Sequence, residues 1–397
     1  MADQEKPIFH FLKDYKSASG RSFIKHSGEI GLEIETETQT MKDYPQAILV
    51  AAGRGVEIQH LEWWKGFQDN SLRNFGMEYA LRNPVLFEGE LDTALTEFKN
   101  FSKNIKFIKD PVKASVHVHL NCLGETFKTI GNFLTLYALY ENLLIRYSGP
   151  NRVSNMFCIP ICDGEETAKN MAKFVMAAKN KNYNAMFFKE DAVKYAALNL
   201  ASFWNYGSIE IRSYRGETNT DLIKIWVSIL YQMMKYSRKK INPHDIILLY
   251  ELDPDELYKQ VFGQYTGVIY HKDKDELVFK NLWYSANIAY SMHKNDWDTM
   301  SLVPELKADF DIDILDDVSR DRFGSDYQDL NEIAQKWVIQ YLNQNPPAKK
   351  NPPKPRVLQN PMAEGFDIER ERMAVLQRQM RVLAEQPIPV RRNNPRV

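Results

Sequence analysis

The sequence is poor in cysteine, and this scarcity argues against a disulfide-stabilised fold. Cys122, Cys158 and Cys162 are an odd and low count, which does not suit a disulfide framework and fits a reducing compartment. Cys158 and Cys162 have no second pair that would complete a zinc site, so we interpret them as free thiols.

Long apolar runs are absent as well. No stretch of about 18 apolar residues occurs, so the sequence predicts no transmembrane helix. The N-terminal segment, MADQEKPIFHFLKDYK, mixes charged and apolar residues and lacks the apolar centre of a signal peptide. We therefore expect a cytoplasmic protein.

Neither sign of charge is in excess. The chain has 397 residues with 51 Lys/Arg and 52 Asp/Glu, a net charge of −1, which predicts neither a nucleic-acid partner nor a membrane partner. The GxxxxGK[ST] loop and the GxGxxG fingerprint are also missing. Their absence excludes a P-loop or Rossmann nucleotide site.

Polar residues recur in pairs on three segments that have the periodicity of a β-strand. The pairs, each around one aliphatic residue, are Glu33 and Glu35, His117 and His119, and Glu210 and Arg212. Residues two apart on a strand point to the same side, so each strand is predicted to bury one face and present its polar pair on the other. Taken singly, the pairs also fit a solvated face, a surface histidine pair and an exposed ion pair.

Together with Glu78, these pairs predict a cation site. Glu78 lies in a short predicted strand between Gly76 and Pro84. If the four strands are neighbours, their carboxylates share one face with an imidazole and repel each other unless cations lie among them. Such a cluster suits two or three Mg²⁺ or Mn²⁺ ions, and Arg212 beside it suits a phosphoryl oxygen.

The order of the motifs carries further information. The segments in question, over roughly residues 28–230, are GLEIE, WWKGFQDNSL, GMEYALRNPVLFEGELDTAL, SVHVHLN, GPNRVSN, YAALNL and IEIRSYRGET. Their order resembles that of the amidoligase family, carboxylate–amine ligases of the glutamine synthetase and glutamate–cysteine ligase superfamily. One departure is the family's serine shortly after the glutamate, since Arg82 and Asn83 precede Pro84 here.

The resemblance implies an α+β fold, in which a curved, mostly antiparallel sheet forms an open funnel with helices packed on its convex side. It also implies ATP and two or three Mg²⁺ (or Mn²⁺) ions inside the funnel. By match of motif, Glu33, Glu210 and His117 would bind the ion nearest the β- and γ-phosphates. Glu35 and Glu78 would bind the ion that meets the γ-phosphate and the substrate carboxylate. Glu37 has no counterpart in the family motif, and we expect it near the rim of the funnel or in solvent.

The same resemblance implies roles for the remaining polar residues. Arg212 would contact the transferring phosphoryl group, and His119 would lie beside the nucleotide. Arg152 and Arg215 are further candidates for phosphate or carboxylate contacts. The expected catalytic residues are therefore Arg212, Glu78 and Arg152, and the expected nucleotide-binding residues are His119, Arg212 and Arg215.

The function that the resemblance implies is ATP-dependent ligation of a carboxylate and an amine through an acyl phosphate. An amino acid, a peptide terminus, a protein side chain or another acid remains open as the substrate. Two alternatives also remain open. One is a metal-dependent hydrolase that uses the same histidines and glutamates, and the other is a non-catalytic, ligase-like scaffold in a larger assembly.

Composition predicts three regions along the chain. Residues 1–344 form the expected catalytic domain, residues 345–362 a proline-rich basic linker, and residues 363–397 a tail with one amphipathic helix. The tail is a candidate docking segment for a protein partner, and folding back on the body or disorder are the alternatives.

Local patterns predict several further elements. They are a strand over 21–38, a helix over 44–52, a turn at Asp69 and Asn70, a long helix from residue 126 that stops at Gly149 and Pro150, a helix near 165–180, two strands over 195–203 and 207–214, a helix over 219–237 with Thr218 or Thr220 as N-cap, and a helix over 327–344.

Overall fold

The structure is a computed structural model that describes most of the chain before residue 343. The described residues are 6–17, 20–40, 49–52, 55–58, 61–164, 171, 174, 195–293, 310–323, 325–330, 335, 338, 339, 341 and 342. Contacts divide the chain into two units, Met1–Leu306 and Lys307–Val397. The predicted linker and tail lie outside the described residues, as does nearly all of the helix predicted near 165–180. The predicted boundary at 344 stays a prediction.

An open antiparallel sheet is the centre of the first unit. Its strands are β1 (Ile30–Thr38), β2 (Leu49–Ala52), β3 (Gly55–Ile58), β4 (Trp64–Gln68), β5 (Phe75–Leu81), β6 (Ser115–Asn121), β7 (Leu198–Asn199) and β8 (Ser208–Arg215). They lie in the order β2-β3-β4-β5-β1-β6-β8-β7. Every pairing between these strands is antiparallel.

Helices make up most of the rest of the described chain. They are α1 (Ile8–Leu12), α2 (Glu90–Ser102), α3 (Phe127–Ser148), α4 (Ala201–Tyr206), α5 (Thr220–Ser237), α6 (Pro243–Leu252), α7 (Pro254–Phe262), α8 (Lys274–His293) and α9 (Ile312–Phe323). None of the helices within the described residues is long and apolar enough to cross a membrane. Helices and an open antiparallel sheet confirm the α+β prediction.

The aliphatic residues between the polar pairs place one face of the sheet in the core. Ile34, Val118 and Ile211 are fully buried. Aromatic side chains join this face to the helices, since Tyr214 of β8 stacks on Trp226 of α5 with ring centroids 5.0 Å apart. Full burial of a large apolar side chain stabilises a fold by about 1.5–3 kcal/mol, so this face anchors the sheet to the helices. The opposite face can then carry the polar pairs.

The central helix α3 is buried along most of its length. Its N-cap is Thr126, whose hydroxyl accepts a hydrogen bond from the backbone N–H of Thr129. The helix ends at Gly149, which has a φ of 120° that favours glycine, and Pro150 follows. The predicted long helix ending at Gly149 and Pro150 is therefore confirmed.

Two strand and helix predictions near the N-terminus are wrong in part. The first strand begins at Ile30 rather than at residue 21, and residues 23–26 form no strand. Residues 49–52 form a strand rather than a helix, because they pair with β3 from Leu49 to Ala52. This local hairpin pairing overrides the helix propensity of the two alanines at 51 and 52.

Two predictions around β8 also need correction. Residues 201–206 form the short helix α4 rather than a strand, because the Asn199 side chain accepts the Ala201 N–H and Gly207, at φ 71°, closes the turn. The N-cap of α5 is Asn219, whose side chain accepts the Asp221 N–H, rather than Thr218 or Thr220.

The second unit has its own small core. Leu315, Val338 and Leu342 are buried in it. Tyr327–Asp329 form a 3₁₀ turn rather than the first turn of the helix predicted over 327–344.

A buried glutamate in α3 predicts a pH-dependent stability. Glu141 is fully buried, and one of its carboxylate oxygens accepts the Ile161 N–H at 2.6 Å. Burial, with the charge of Asp163, raises the pKa of Glu141 from 4.5 to about 8. Between about pH 5 and 8 the folded state keeps a proton that the unfolded state has lost, so this group lowers stability as pH rises.

We expect Glu141→Gln to remove this fall and to raise the free energy of unfolding at pH 8 by on the order of 3 kcal/mol. Urea titrations of wild type and variant at pH 5 and pH 8 measure the difference. The exposed Glu88→Gln is the matched control. Equal midpoint changes with pH in wild type and Glu141→Gln would show that Glu141 is already ionised in the folded protein.

A carboxylate and histidine face as the candidate active site

Strand register brings the predicted polar residues together. In β1, Glu33 lies opposite His117 of β6, and Glu35 lies opposite Glu78 of β5. His119 of β6 in turn lies opposite Glu210 of β8. Opposed residues in an antiparallel pair point to the same side, so four adjacent strands present these side chains on the face away from the apolar core.

The first candidate metal-binding group is Glu33, His119 and Glu210, which we call group 1. One possible ligand atom from each lies within 4.8 Å of the others. His119 Nε2 is 3.3 Å from a Glu33 oxygen. The Asn199 side chain holds Glu210 by donating to its Oε2 at 2.8 Å. Two carboxylates and an imidazole form a set that suits Mg²⁺ or Mn²⁺.

The second candidate group is Glu35, Asp69 and Glu78, which we call group 2. Its ligand atoms also lie within 4.8 Å of one another. Glu35 is held in place by Ser115, whose backbone N–H and hydroxyl both donate to Oε2 at 2.8 Å. Three carboxylates supply only oxygen ligands, as hard divalent cations prefer.

Asp69 is the member of these groups that the sequence patterns did not single out as a ligand. It was interpreted as part of a turn, although it stands in the WWKGFQDNSL segment that carries the family resemblance. Asp69 follows β4 in the loop to β5, and its N–H donates to Gly76 O at 3.0 Å. Strand periodicity does not extend to a loop residue, so the signal that could have identified Asp69 as a ligand was the WWKGFQDNSL motif.

His117 lies between the two groups. Its Nδ1 is 3.0 Å from Glu33 Oε2 and 3.4 Å from Glu210 Oε1. On the other side, its Nε2 is 2.6 Å from the Ser115 hydroxyl and 3.6 Å from Glu35 Oε1. With both ring nitrogens engaged and 2% of the side chain exposed, His117 fixes carboxylates of both groups. Its role as a metal ligand stays a prediction, and it is His119 that lies in group 1.

Burial and the neighbouring charges shift the pKa values of two acids on this face, Glu78 and Glu33. Burial raises the pKa of Glu78 to about 8, and the charges of Glu33 and Glu35 add to the rise. Burial alone would also raise the pKa of Glu33, but the His119 charge and hydrogen bonds from both histidines hold it well below its usual value. A divalent cation in group 2 would favour the ionised Glu78, so the chemistry of the donors fits a metal site.

Arg212 lies on the same face, beside group 1. It forms an ion pair with Glu210 through Nη1, and the same nitrogen is 3.5 Å from His117 Nδ1. Its Nε is buried without a hydrogen-bond partner among the described residues. The guanidinium is thus oriented by Glu210 and keeps a donor that a phosphoryl oxygen could accept from.

A β-bulge in β8 sets the position of Arg212. Val116 pairs with Tyr214 and Val118 with Ile211, so Arg212 and Ser213 both stand opposite the single residue between the two valines. Arg152 secures the bulge, because its Nη2 donates to Arg212 O at 2.8 Å and its Nε to Ser213 O at 3.1 Å.

The structure places the two further arginine candidates differently. Arg152 is fully buried behind the bulge, where it holds the backbone of Arg212. A direct contact of Arg152 with phosphate or carboxylate stays a prediction. Arg215 is partly exposed and paired with Glu217, with 3.2 Å between Nη2 and Oε2. It lies opposite Ser115, at the group 2 end of the face.

A cavity of about 360 Å³ adjoins group 1. Glu33 and His119 line it, and so do four basic side chains, those of Arg21, His26, Lys65 and Arg82. Tyr206 stands at its wall with 66% of its surface exposed and its ring edge-on to His119. The cavity has the size of a small-molecule site, and it combines a cationic lining with an aromatic surface.

Glu37, the third glutamate of the first strand, was expected near the rim of the funnel or in solvent. The expectation of exposure to solvent is wrong, because only 2% of Glu37 is exposed. Its position relative to the rim stays a prediction. Hydrogen bonds to the loop between β4 and β5 account for its burial.

A comparison with protein families adds to this geometry. Residues 29–234 match the model of a family described as "Putative amidoligase enzyme". The match covers more than half of the 397 residues and includes every member of groups 1 and 2. A search of curated proteins found no match to the chain.

Proposed function

We propose, from the premise that the chain belongs to the amidoligase family, that this protein ligates a carboxylate to an amine with ATP and Mg²⁺ or Mn²⁺. The observation that carries the proposal is the pair of ligand groups on one sheet face, with Arg212 beside them. We also assign the open sheet to the glutamine synthetase-like class, because its polar face is opposite the helical layer.

The two groups would hold two divalent ions side by side. Glu33, His119 and Glu210 would hold one ion, and Glu35, Asp69 and Glu78 the other. When bound, such ions neutralise phosphate oxygens and align them for transfer. The residues of this chain supply the fixed negative charge that the ions need, at positions set by strand register and by hydrogen bonds within the face.

The reaction proposed has two steps. A carboxylate oxygen of the substrate attacks the γ-phosphorus, the bond to the β–γ bridging oxygen breaks, and ADP leaves. The amine nitrogen then attacks the acyl carbon, phosphate leaves with the electrons of the broken C–O bond, and the nitrogen releases a proton. Phosphoryl transfer depends on alignment and charge neutralisation, so the chain needs no nucleophilic Ser or Cys.

Arg212 would stabilise the charge that develops on the transferring phosphoryl group. Its ion pair with Glu210 and the bulge behind it hold the guanidinium before the substrate arrives. A donor that is already oriented costs little reorganisation during the reaction, which is the source of electrostatic catalysis. Arg152 contributes by holding the two carbonyl groups of the bulge.

We assign the cavity beside group 1 to the nucleoside and the inner phosphates of ATP. Its basic side chains match phosphate charge, and the exposed ring of Tyr206 offers a surface for a base. His119 is shared by the cavity and group 1, which agrees with its expected place beside the nucleotide.

Thermal denaturation with ligands tests this proposal. We expect ATP with Mg²⁺ to raise the Tm by several degrees, because ligand that binds only the folded state stabilises it by mass action. A variant, Lys65→Ala, should need a higher ATP concentration for the same shift, since Lys65 lines the cavity and belongs to neither metal group. A phosphate-release screen of carboxylates crossed with amines then identifies the substrates.

The same measurement separates the ligase from a metal-dependent hydrolase. A Tm raised by Zn²⁺ alone and unaffected by nucleotide would contradict the ligase proposal and favour water activation by the histidines and glutamates. Nucleotide binding without phosphate release across the whole screen would instead favour a ligase-like scaffold.

A further inference from the structure

Glu37 is a buried carboxylate whose hydrogen bonds all lead to one loop. Its Oε1 accepts the Arg73 N–H at 3.3 Å, and its Oε2 accepts from the Asn74 side chain at 2.9 Å. Burying a carboxylate costs free energy, and hydrogen bonds donated to its charged oxygens offset that cost. Both partners belong to the loop over residues 69–74, which joins β4 to β5 and contains Asp69.

The loop folds back tightly against the sheet at the place where Glu37 lies. Glu37 pairs with Gly76 in the strand register. A Cβ atom on Gly76 would lie 2.5 Å from the Leu72 Cβ and 2.7 Å from Asp69 O, so no side chain fits there. Asn74 has a φ of 57°, a left-handed conformation that needs support from its surroundings.

Asp69 is tied to the same loop backbone. Its Oδ1 accepts the Ser71 N–H at 2.7 Å, and its own N–H donates to Gly76 O at 3.0 Å. The orientation of the Asp69 carboxylate therefore follows the loop conformation. Glu37 is thus connected to the Asp69 carboxylate of group 2 through its hydrogen bonds to Arg73 and Asn74, the loop backbone and the Ser71 N–H.

We propose that Glu37 is a positioning residue that sets the divalent-ion affinity of group 2 by holding the Asp69 loop, an inference that rests on the proposed function. Glu37 itself belongs to neither metal group, although it faces the same side of β1 as Glu33 and Glu35. Outer residues of this kind orient metal ligands, and their replacement typically costs about 10- to 100-fold in metal affinity.

The proposal requires that residue 37 forms both hydrogen bonds to the loop, and it does not require a negative charge at that position. In Glu37→Gln, the amide oxygen can accept the Arg73 N–H, and the Asn74 amide can turn so that its oxygen accepts from the new NH₂ group. Glu37→Ala removes both bonds. We therefore expect Glu37→Gln to bind ions within about threefold of wild type and Glu37→Ala to lose about tenfold or more at group 2.

Titration of the full chain with Mn²⁺, followed by electron paramagnetic resonance without nucleotide, tests the proposal. Wild type should bind two ions. Glu37→Ala and Asp69→Asn should each weaken one of them, and Glu37→Ala should cost nothing further in the Asp69→Asn background, because both act on one ligand.

Glu97→Ala is the matched control. The Glu97 carboxylate also holds a loop, accepting the N–H groups of Glu62 at 2.7 Å and Trp63 at 2.8 Å, at the opposite end of β4. It should leave both ions in place. A loss for Glu97→Ala equal to that for Glu37→Ala would mean that any loosened loop lowers the affinity, which would overturn the assignment.

Three further outcomes would also overturn the proposal. They are full affinity in Glu37→Ala, independent losses in the double variant, and an equal loss in Glu37→Gln and Glu37→Ala, which would assign the effect to charge. Should Glu37→Ala fail to fold, the comparison of Glu37→Gln with Asp69→Asn still decides between geometry and charge. A wild-type chain that binds no Mn²⁺ would instead overturn the proposed function itself.

Discussion

Replacing Glu33 or Glu210 by glutamine is expected to abolish ATP consumption while leaving the fold intact. Both carboxylates belong to group 1, and a neutral amide of the same shape removes an anionic ligand without creating a cavity. The loss of one preorganised charge contact at a reacting centre costs about 10²- to 10³-fold in kcat, so we expect a fall of about 10³-fold or more where an ion is lost.

Phosphate release with ATP, Mg²⁺ and an accepted substrate pair measures this effect. Circular dichroism checks the fold, and Glu88→Gln, the same change at an exposed position, should have wild-type activity. Turnover near the wild-type rate in Glu33→Gln or Glu210→Gln would show that group 1 is not the metal-binding centre.

Replacing Arg212 by lysine is expected to lower kcat by about 10²-fold while both ions still bind. Lysine keeps a positive charge but cannot reproduce the planar fork of donors that pairs with Glu210 and reaches toward a phosphoryl oxygen. Because Arg212 is not a metal ligand, its effect should fall on the chemical step and not on ion affinity.

Single-turnover phosphate release, together with Mn²⁺ titration, separates these two contributions. Arg146→Lys, at an exposed position in the last turn of α3, is the matched control. An unchanged kcat in Arg212→Lys would show that the planar set of guanidinium donors is not needed for the reaction, and a lost ion would show that Arg212 acts through Glu210.

Much of the polar face follows from strand periodicity. The alternation around Ile34, Val118 and Ile211 predicts one buried face and one polar face, and the structure has both. Periodicity alone does not say which strands pair, so it could not predict that the four strands are neighbours. The structure shows that β5, β1, β6 and β8 are adjacent in the sheet.

Residues outside that periodicity were harder to predict. Asp69 lies in a loop, where no repeat marks the direction of a side chain. Glu37 continues the pattern of Glu33 and Glu35, and its burial depends on a loop that returns from a position more than 30 residues away along the chain. His117 and His119 share one face, but their spacing in the sequence does not predict which carboxylates each imidazole contacts.

Two predictions of local secondary structure were wrong for a similar reason. The helix predicted over 44–52 has a composition suited to a helix, but pairing with β3 decides the structure of residues 49–52, and residues 44–48 lie outside the described residues. Conversely, the strand predicted over 195–203 is a strand only at Leu198–Asn199, because the Asn199 side chain and the left-handed Gly207 bound a short helix that begins at Ala201. Pairing within a hairpin and single turn residues prevailed over average propensity in these two places.

The bulge in β8 has a consequence for how insertions and deletions would be tolerated. In a strand without it, residues 210, 212 and 214 would share one side, and Tyr214 would point toward the metal groups. The extra residue reverses the parity, so Tyr214 packs on Trp226 in the core while Arg215 lies opposite Ser115. Losing one residue here would exchange the inner and outer faces of half a strand, so the length of β8 matters as much as its composition.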